Sequence, residues 1–186
     1  MSSALNALVL VPDFFKGAKM EFSWYAEDLS EESKALKEAF VQTAMDFLAF
    51  VPALRDVVGE GRGRWGGVDA WGAYGLCWGG KVVALSSGPN TPFSASGQVH
   101  PGRLATTDAT QITIPHIVLA SDGEDATTVR EYRDVLVGAG KPGVVDTYVG
   151  MHHGWMGARA NLKDEVNLKE YERGYNQLAQ FFAKHL

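Results

Sequence analysis

The chain has 186 residues, 46% hydrophobic and 21% charged, which suits one globular domain with a full core. Its net charge of -5 gives no electrostatic reason to expect nucleic acid or an anionic membrane as a partner. The single cysteine excludes an internal disulfide framework, no apolar run approaches the ~20 residues that span a bilayer, and the N-terminus lacks a signal-peptide pattern. A reducing, cytoplasmic compartment is therefore expected.

In chain order, Ala7–Val11 is a continuous apolar run closed by Pro12-Asp13, the pattern of a strand buried on both faces. Ser30 to Phe50 reads as helix, with Ser30 as N-cap and Leu36, Phe40, Phe47 and Phe50 near helical spacing; Pro52 then breaks or restarts it. Gly59–Gly67 is glycine-rich but lacks the G-K-[ST] of a phosphate loop, so it is assigned to a surface connection. Val68–Tyr74 reads as a short strand and Lys81–Ser86 as the start of a buried helix. Strands are expected at Phe93–His100, Ile114–Ala120 and Gly143–Val149, and helices at Thr127–Ala139 and Glu165–Leu186, the last with Leu168, Tyr171, Tyr175, Leu178, Phe181 and Phe182 on its apolar face. Alternating strands and helices imply an α/β fold: a mostly parallel sheet with helices on both faces, in one domain spanning 1–186.

Between the Val68–Tyr74 strand and the next helix stands Gly75-Leu76-Cys77-Trp78-Gly79, the thiol form of the G-x-S-x-G nucleophile elbow. Such a turn needs glycine two residues before and two after the nucleophile, where strand and helix backbones nearly touch, holds the nucleophile in strained geometry, and sets it at a helix N-terminus whose dipole favours the thiolate. The Ile114–Ala120 strand is followed by Ser121-Asp122-Gly123-Glu124-Asp125, and the Gly143–Val149 strand by His152-His153-Gly154-Trp155. Chain order is thus nucleophile, acid, histidine, the order of α/β-hydrolases. The chemistry needs all three: a histidine to take the thiol proton and a carboxylate to orient the imidazole. His100, His116 and His152 are read as packing or surface residues. Trp24, Trp65, Trp78 and Trp155 could line an apolar pocket, although aromatic side chains more often belong to the core.

These residues resemble the dienelactone hydrolase family, in particular its fungal-type branch. The resemblance rests on Val9–Gly17 (V-L-V-P-D-F-F-K-G), Gly72–Lys81 around the cysteine elbow, the His153–Arg159 segment (H-G-W-M-G-A-R) and Tyr171–Tyr175. It implies an α/β-hydrolase fold and a Cys-His-acid triad hydrolysing small-molecule lactones or esters without metal or cofactor. Cys77 and His153 carry over directly, and Trp78 N–H is the implied oxyanion donor. The family's G-x-x-D is here Ser121-x-x-Glu124, so Glu124 is the first choice of acid, Asp125 the second and Asp122 the third. Arg159 is assigned either to a substrate carboxylate or to a structural salt bridge.

Family members carry additional strands before the Pro12-Asp13 segment, one lying between Ala7–Val11 and the elbow strand and leading to a loop that donates the second oxyanion N–H. By this comparison the chain reads as N-terminally truncated, and the alternative function is a catalytically impaired binding protein. A glutaminase-type or redox thiol enzyme also uses a G-x-C-x-G elbow, but the H-x-E of glutaminases does not occur.

Overall fold

The computed structural model describes residues 1–138 and 140–186. Its elements are α1 (Ser2–Leu5), α2 (Glu31–Met45), α3 (Phe50–Arg64), β1 (Gly72–Leu76), α4 (Trp78–Leu85), β2 (Ala95–Val99), α5 (Thr106–Gln111), β3 (His116–Ser121), α6 (Ala126–Gly138), β4 (Gly143–Tyr148) and α7 (Glu165–His185), with 3-10 turns at Phe22–Tyr25 and Phe47–Ala49. The four strands form one parallel sheet in the order β1-β2-β3-β4. Leu76 pairs with Val99, Val99 with Leu119, and Ser121 with Tyr148. The carboxyl ends of the strands are therefore level, and the loops that follow them meet at one rim, where open α/β sheets assemble their sites.

β3 is buried along its whole length, which explains why Ile117–Ala120 carries no polar alternation. Ile117 and Leu119 face α7, whose Leu178, Phe181 and Phe182 close one layer; Val118 faces the opposite way, into a cluster with Ala84, Ala109, Tyr132 and Leu136 from α4, α5 and α6. Helices thus cover both faces. A buried polar chain crosses this second layer: Ser87 Oγ to Ser96 Oγ (2.8 Å), Ser96 Oγ to His116 Nδ1 (2.7 Å), His116 Nε2 to Gln98 Oε1 (3.3 Å) and Gln98 Nε2 donating to the Gly80 carbonyl (3.0 Å). It ties the first turn of α4 to β2 and β3. Among the described residues no helix is long and apolar enough to cross a membrane.

Several expectations are corrected. The expected strand Ala7–Val11 joins no ladder, and β1 is the sheet edge on that side. The helix expected from Ser30 to Phe50 is capped as read, Ser30 Oγ accepting from the Ser33 N–H (3.1 Å), but it stops at Met45; α3 then starts at Phe50, with Pro52 in its first turn, where no intrahelical donor is needed. The expected loop at Gly59–Gly67 is helical as far as Arg64. Gly61 is required there because the Trp71 ring lies on it: a Cβ would stand 2.3 Å from that ring. The elbow strand runs Gly72–Leu76 rather than Val68–Tyr74, and α4 begins at Trp78 rather than Lys81. Of the helix expected over Thr127–Ala139, Ala139 lies outside the described residues.

Candidate active site

Cys77 bridges β1 and α4 with φ 51° and ψ -113°, a conformation that costs a non-glycine residue about 1–3 kcal/mol and persists only where its surroundings hold it. Here they do: the Cys77 N–H donates to Val99 O (3.0 Å), and the Cys77 carbonyl accepts from Gly80 N–H (3.1 Å) and Gly102 N–H (3.0 Å). Strand and helix meet at Gly75, where a Cβ would lie 2.1 Å from the Gly79 carbonyl carbon and oxygen. At Gly80 it would lie 3.2 Å from Gly75 O, and at Gly79 it would meet nothing within 4 Å. The glycine two residues after the cysteine is therefore not demanded by the close approach, contrary to the sequence expectation.

His153 follows β4 and lies with Nε2 3.0 Å from Cys77 Sγ and Nδ1 2.7 Å from Glu124 Oε1. The Glu124 side chain is only 4% exposed, whereas that of His153 is 32% exposed. A carboxylate on Nδ1 fixes the tautomer with hydrogen on Nδ1, leaving Nε2 to accept from the thiol. Burial pushes the Cys77 thiol above its ordinary pKa, the Trp78 backbone N–H pulls it down, and the charge of Glu124 raises it again. The helix-terminus effect expected to favour the thiolate is thus outweighed by desolvation, and the resting group is a thiol that needs a base.

The three candidate acids separate. Glu124 reaches His153. Asp125 is fully exposed and accepts from Thr128 N–H (2.8 Å) and Oγ1–H (2.7 Å), capping the first turn of α6 and lowering its own pKa by those bonds. Asp122 accepts from Gly150 N–H (2.6 Å), fastening the loop that leads to His153. Arg159 folds its stem over Gly154, its carbonyl accepts from His152 Nε2 (3.0 Å), and among the described residues it makes no ion pair. Its two expected roles reduce, in this arrangement, to the carboxylate one or to none.

A cavity of about 260 Å³ opens beside His153, walled by Pro101, Gly102, Arg103, Leu104, Gly123 and Thr128, together with Glu124 and Asp125. A larger apolar groove of about 400 Å³ runs between Ala7–Leu10 and Trp71–Gly75 along the edge of β1; neither Cys77 nor His153 is among its walls. None of Trp24, Trp65, Trp78 and Trp155 lines the cavity beside His153. Trp155 is buried and stacks on Tyr148 at 4.4 Å. Trp78 sits among Phe14, Phe15, Phe47 and Phe50, with ring centroids 4.9–6.2 Å away, and its Nε1–H donates to Ala44 O (2.6 Å). The residue after Cys77 is thereby pinned by the N-terminal third of the chain. The Asp13 carboxylate accepts from Phe15 N–H (3.2 Å) and Gly17 N–H (2.7 Å), forming the turn that presents Phe14 and Phe15 to it.

His100, read from sequence as a packing residue, is adjacent to the site. Its ring lies 5.1 Å from that of His153, edge to face, and both its buried nitrogens lack a partner among the described residues. Burial and the neighbouring His153 hold its pKa at about 4. Its φ of 36° after a strand end was a backbone feature with no residue-type signal.

The profile of the dienelactone hydrolase family matches residues 8–186, and the chain belongs to that family. Two uncharacterized AIM2 family proteins of Schizosaccharomyces pombe (strain 972) are 30% and 33% identical to it, over 94% and 95% of this chain and 70% and 71% of their own lengths. A crystal structure assigned as a dienelactone hydrolase, from Klebsiella pneumoniae, superposes with a TM-score of 0.60 at 19% identity, over 74% of this chain and 61% of that one. That likeness establishes the fold. This chain spans less than two thirds of that structure.

Proposed function

We propose that the chain hydrolyses carboxylic esters or lactones by acyl transfer through Cys77, with His153 as base and Glu124 as the group that orients it. The observation that carries this reading is the continuous line from Cys77 Sγ through His153 to Glu124, at 3.0 and 2.7 Å, both within the reach that proton transfer requires. His153 Nε2 takes the thiol proton as sulfur bonds to the substrate carbonyl carbon and the carbonyl π electrons move onto oxygen. Trp78 N–H, at the start of α4, donates to that oxyanion. Collapse expels the alkoxide, which takes the proton from Nε2. Water then attacks the thioester, gives its proton to Nε2, and the sulfur leaves to recover the thiol. The cavity beside His153 is the place for the leaving group and the incoming water, and Arg159 is assigned to an anionic substituent of the substrate. The partner is a small molecule, with no metal or cofactor in any step.

The test is turnover of a dienelactone and of p-nitrophenyl esters by the wild-type chain and by Cys77→Ala and His153→Ala. Loss of turnover by about 10³-fold or more in both variants is expected. Turnover unchanged in Cys77→Ala overturns the reading, and stoichiometric ligand binding with no Cys77-dependent turnover favours a binding protein instead.

A further inference from the structure

Glu124 offers only one of its two carboxylate oxygens to His153. The other, Oε2, accepts from the Ser121 backbone N–H (2.5 Å) and from the Ser121 Oγ–H (2.9 Å). Ser121 is the last residue of β3 and is 1% exposed. Its Oγ also accepts from Gly123 N–H (3.2 Å), and Glu124 N–H donates to the Ser121 carbonyl (3.3 Å), so the four residues close on themselves as a tight turn. A Cβ on Gly123 would stand 3.0 Å from His153 N and Cβ, so this turn is pressed against the histidine loop.

A glutamate has one more rotatable bond than an aspartate and, unclamped, would spread over several rotamers, most of them aiming its oxygens away from Nδ1. Two donors on Oε2 select the rotamer that points Oε1 at His153, and hydrogen bonds to an ionised carboxylate are stronger than those between neutral groups. We propose that Ser121 is a positioning residue whose hydroxyl clamps Glu124, so that Ser121-x-x-Glu124 works as one unit in place of the glycine and aspartate the family resemblance leads one to expect; this rests on the proposed role of Glu124.

The sole cysteine gives a substrate-independent readout: the rate of Cys77 alkylation by iodoacetamide, followed against pH. The thiolate forms by proton transfer to His153, whose charged form the Glu124 carboxylate stabilises. The other titratable or charged groups near it are His100, neutral above about pH 4, His152, engaged with Arg159 O, Asp122, bonded to Gly150 N–H on the His153 loop, Asp125, bonded to Thr128, and Arg103, which lines the same cavity.

Ser121→Ala leaves the N–H and removes the hydroxyl. It is expected to slow alkylation at pH 7 about 10-fold, as expected when a hydrogen bond to a charged group is lost. Glu124→Gln is expected to slow it at least as much, and Ser121→Ala in the Glu124→Gln background to add less than 2-fold. Ser121→Gly, which also lacks the hydroxyl, is read in the same way should the alanine variant misfold. Ser121→Thr, which keeps the hydroxyl, is expected within about 3-fold of wild type. Wild-type alkylation in both hydroxyl-less variants, or full additivity with Glu124→Gln, overturns the proposal. An unchanged alkylation profile in Glu124→Gln instead removes the role of Glu124 itself, which separates failure of the underlying reading from failure of the clamp.

Discussion

The glycines around Cys77 should respond oppositely to the same methyl group. In Gly75→Ala the new Cβ would sit 2.1 Å from the carbonyl carbon and oxygen of Gly79 and 2.4 Å from Gly80 N, all backbone atoms with no side chain to swing aside. Contact at ordinary distance needs the first turn of α4 to retreat from β1 by more than an ångström, through the segment carrying Cys77 and the Trp78 N–H. Overpacking usually costs about 1–3 kcal/mol when side chains can adjust, so here at least ~3 kcal/mol is expected. For a chain of this size that lowers Tm by about 6–12 °C. In Gly79→Ala the Cβ meets nothing within 4 Å and sits inside α4, where alanine is favoured over glycine by roughly 0.5–1 kcal/mol. Tm should hold or rise by a few degrees. Gly80→Ala, at 3.2 Å from Gly75 O, should fall between. Thermal melts followed by far-UV circular dichroism on the three variants provide the comparison. Equal destabilisation by Gly75→Ala and Gly79→Ala would refute the assignment of the close approach to Gly75 alone.

Three further outcomes are expected. Glu124→Gln should lower kcat by about 10³–10⁴-fold, while Asp125→Asn and Asp122→Asn should stay within about 3-fold in ester assays and act mainly on stability; an order-of-magnitude loss in either asparagine variant would reassign the acid. Burial holds His116 at about 3 and His100 at about 4, below the ordinary 6.5. Their neutral forms are favoured in the native state, so stability is full above pH 6.5 and is lost as pH falls toward 4, because only the unfolded chain takes up those protons, by roughly 1 kcal/mol per pH unit for each histidine. His100→Phe should accordingly flatten the pH dependence of the unfolding free energy between pH 6 and 4.5, and an unaltered slope in urea titrations would count against it. Trp78→Ala removes a ring packed against four phenylalanines and a donor to Ala44 O, and should cost about 3 kcal/mol, read as a shift of the urea midpoint.

What the sequence disclosed was whatever depends on short-range pattern. The run Ile114–Ala120 announced a strand, Ser30 announced a cap, and Gly75-x-Cys77 with His153 three strands on announced the thiol and histidine that lie 3.0 Å apart. Glu124 was also reachable, through its offset from the end of β3, although nothing local separated it from Asp125 and Asp122; their separation depends on which carboxylate is consumed by Thr128 and which by Gly150. Gly59–Arg64 misled because three glycines in six residues suggest a loop, whereas Gly61 is glycine to admit the Trp71 ring against a helix. His100 was invisible for a different reason: its place beside His153 arises from the register that levels Val99 with Leu76 and Leu119, a property of the assembled sheet.

The segment Ala7–Val11 shows where such reasoning stops. Five consecutive apolar residues read as a buried strand only if neighbours exist to take their N–H and C=O groups, since strand propensity is a statement about fitting a pleated surface and its neighbours. In this structure the segment faces the edge of β1 across the apolar groove and joins no ladder, leaving Leu8, Val9 and Val11 exposed at 56%, 42% and 90%. Yet the residues that follow reach the site by another route. Asp13 folds the chain into a turn, and that turn delivers Phe14 and Phe15 onto Trp78, whose own N–H is the proposed oxyanion donor. The V-P-D-F-F-K-G segment is thus coupled to the proposed chemistry through aromatic packing on the residue after Cys77, a connection that needs no strand pairing at all.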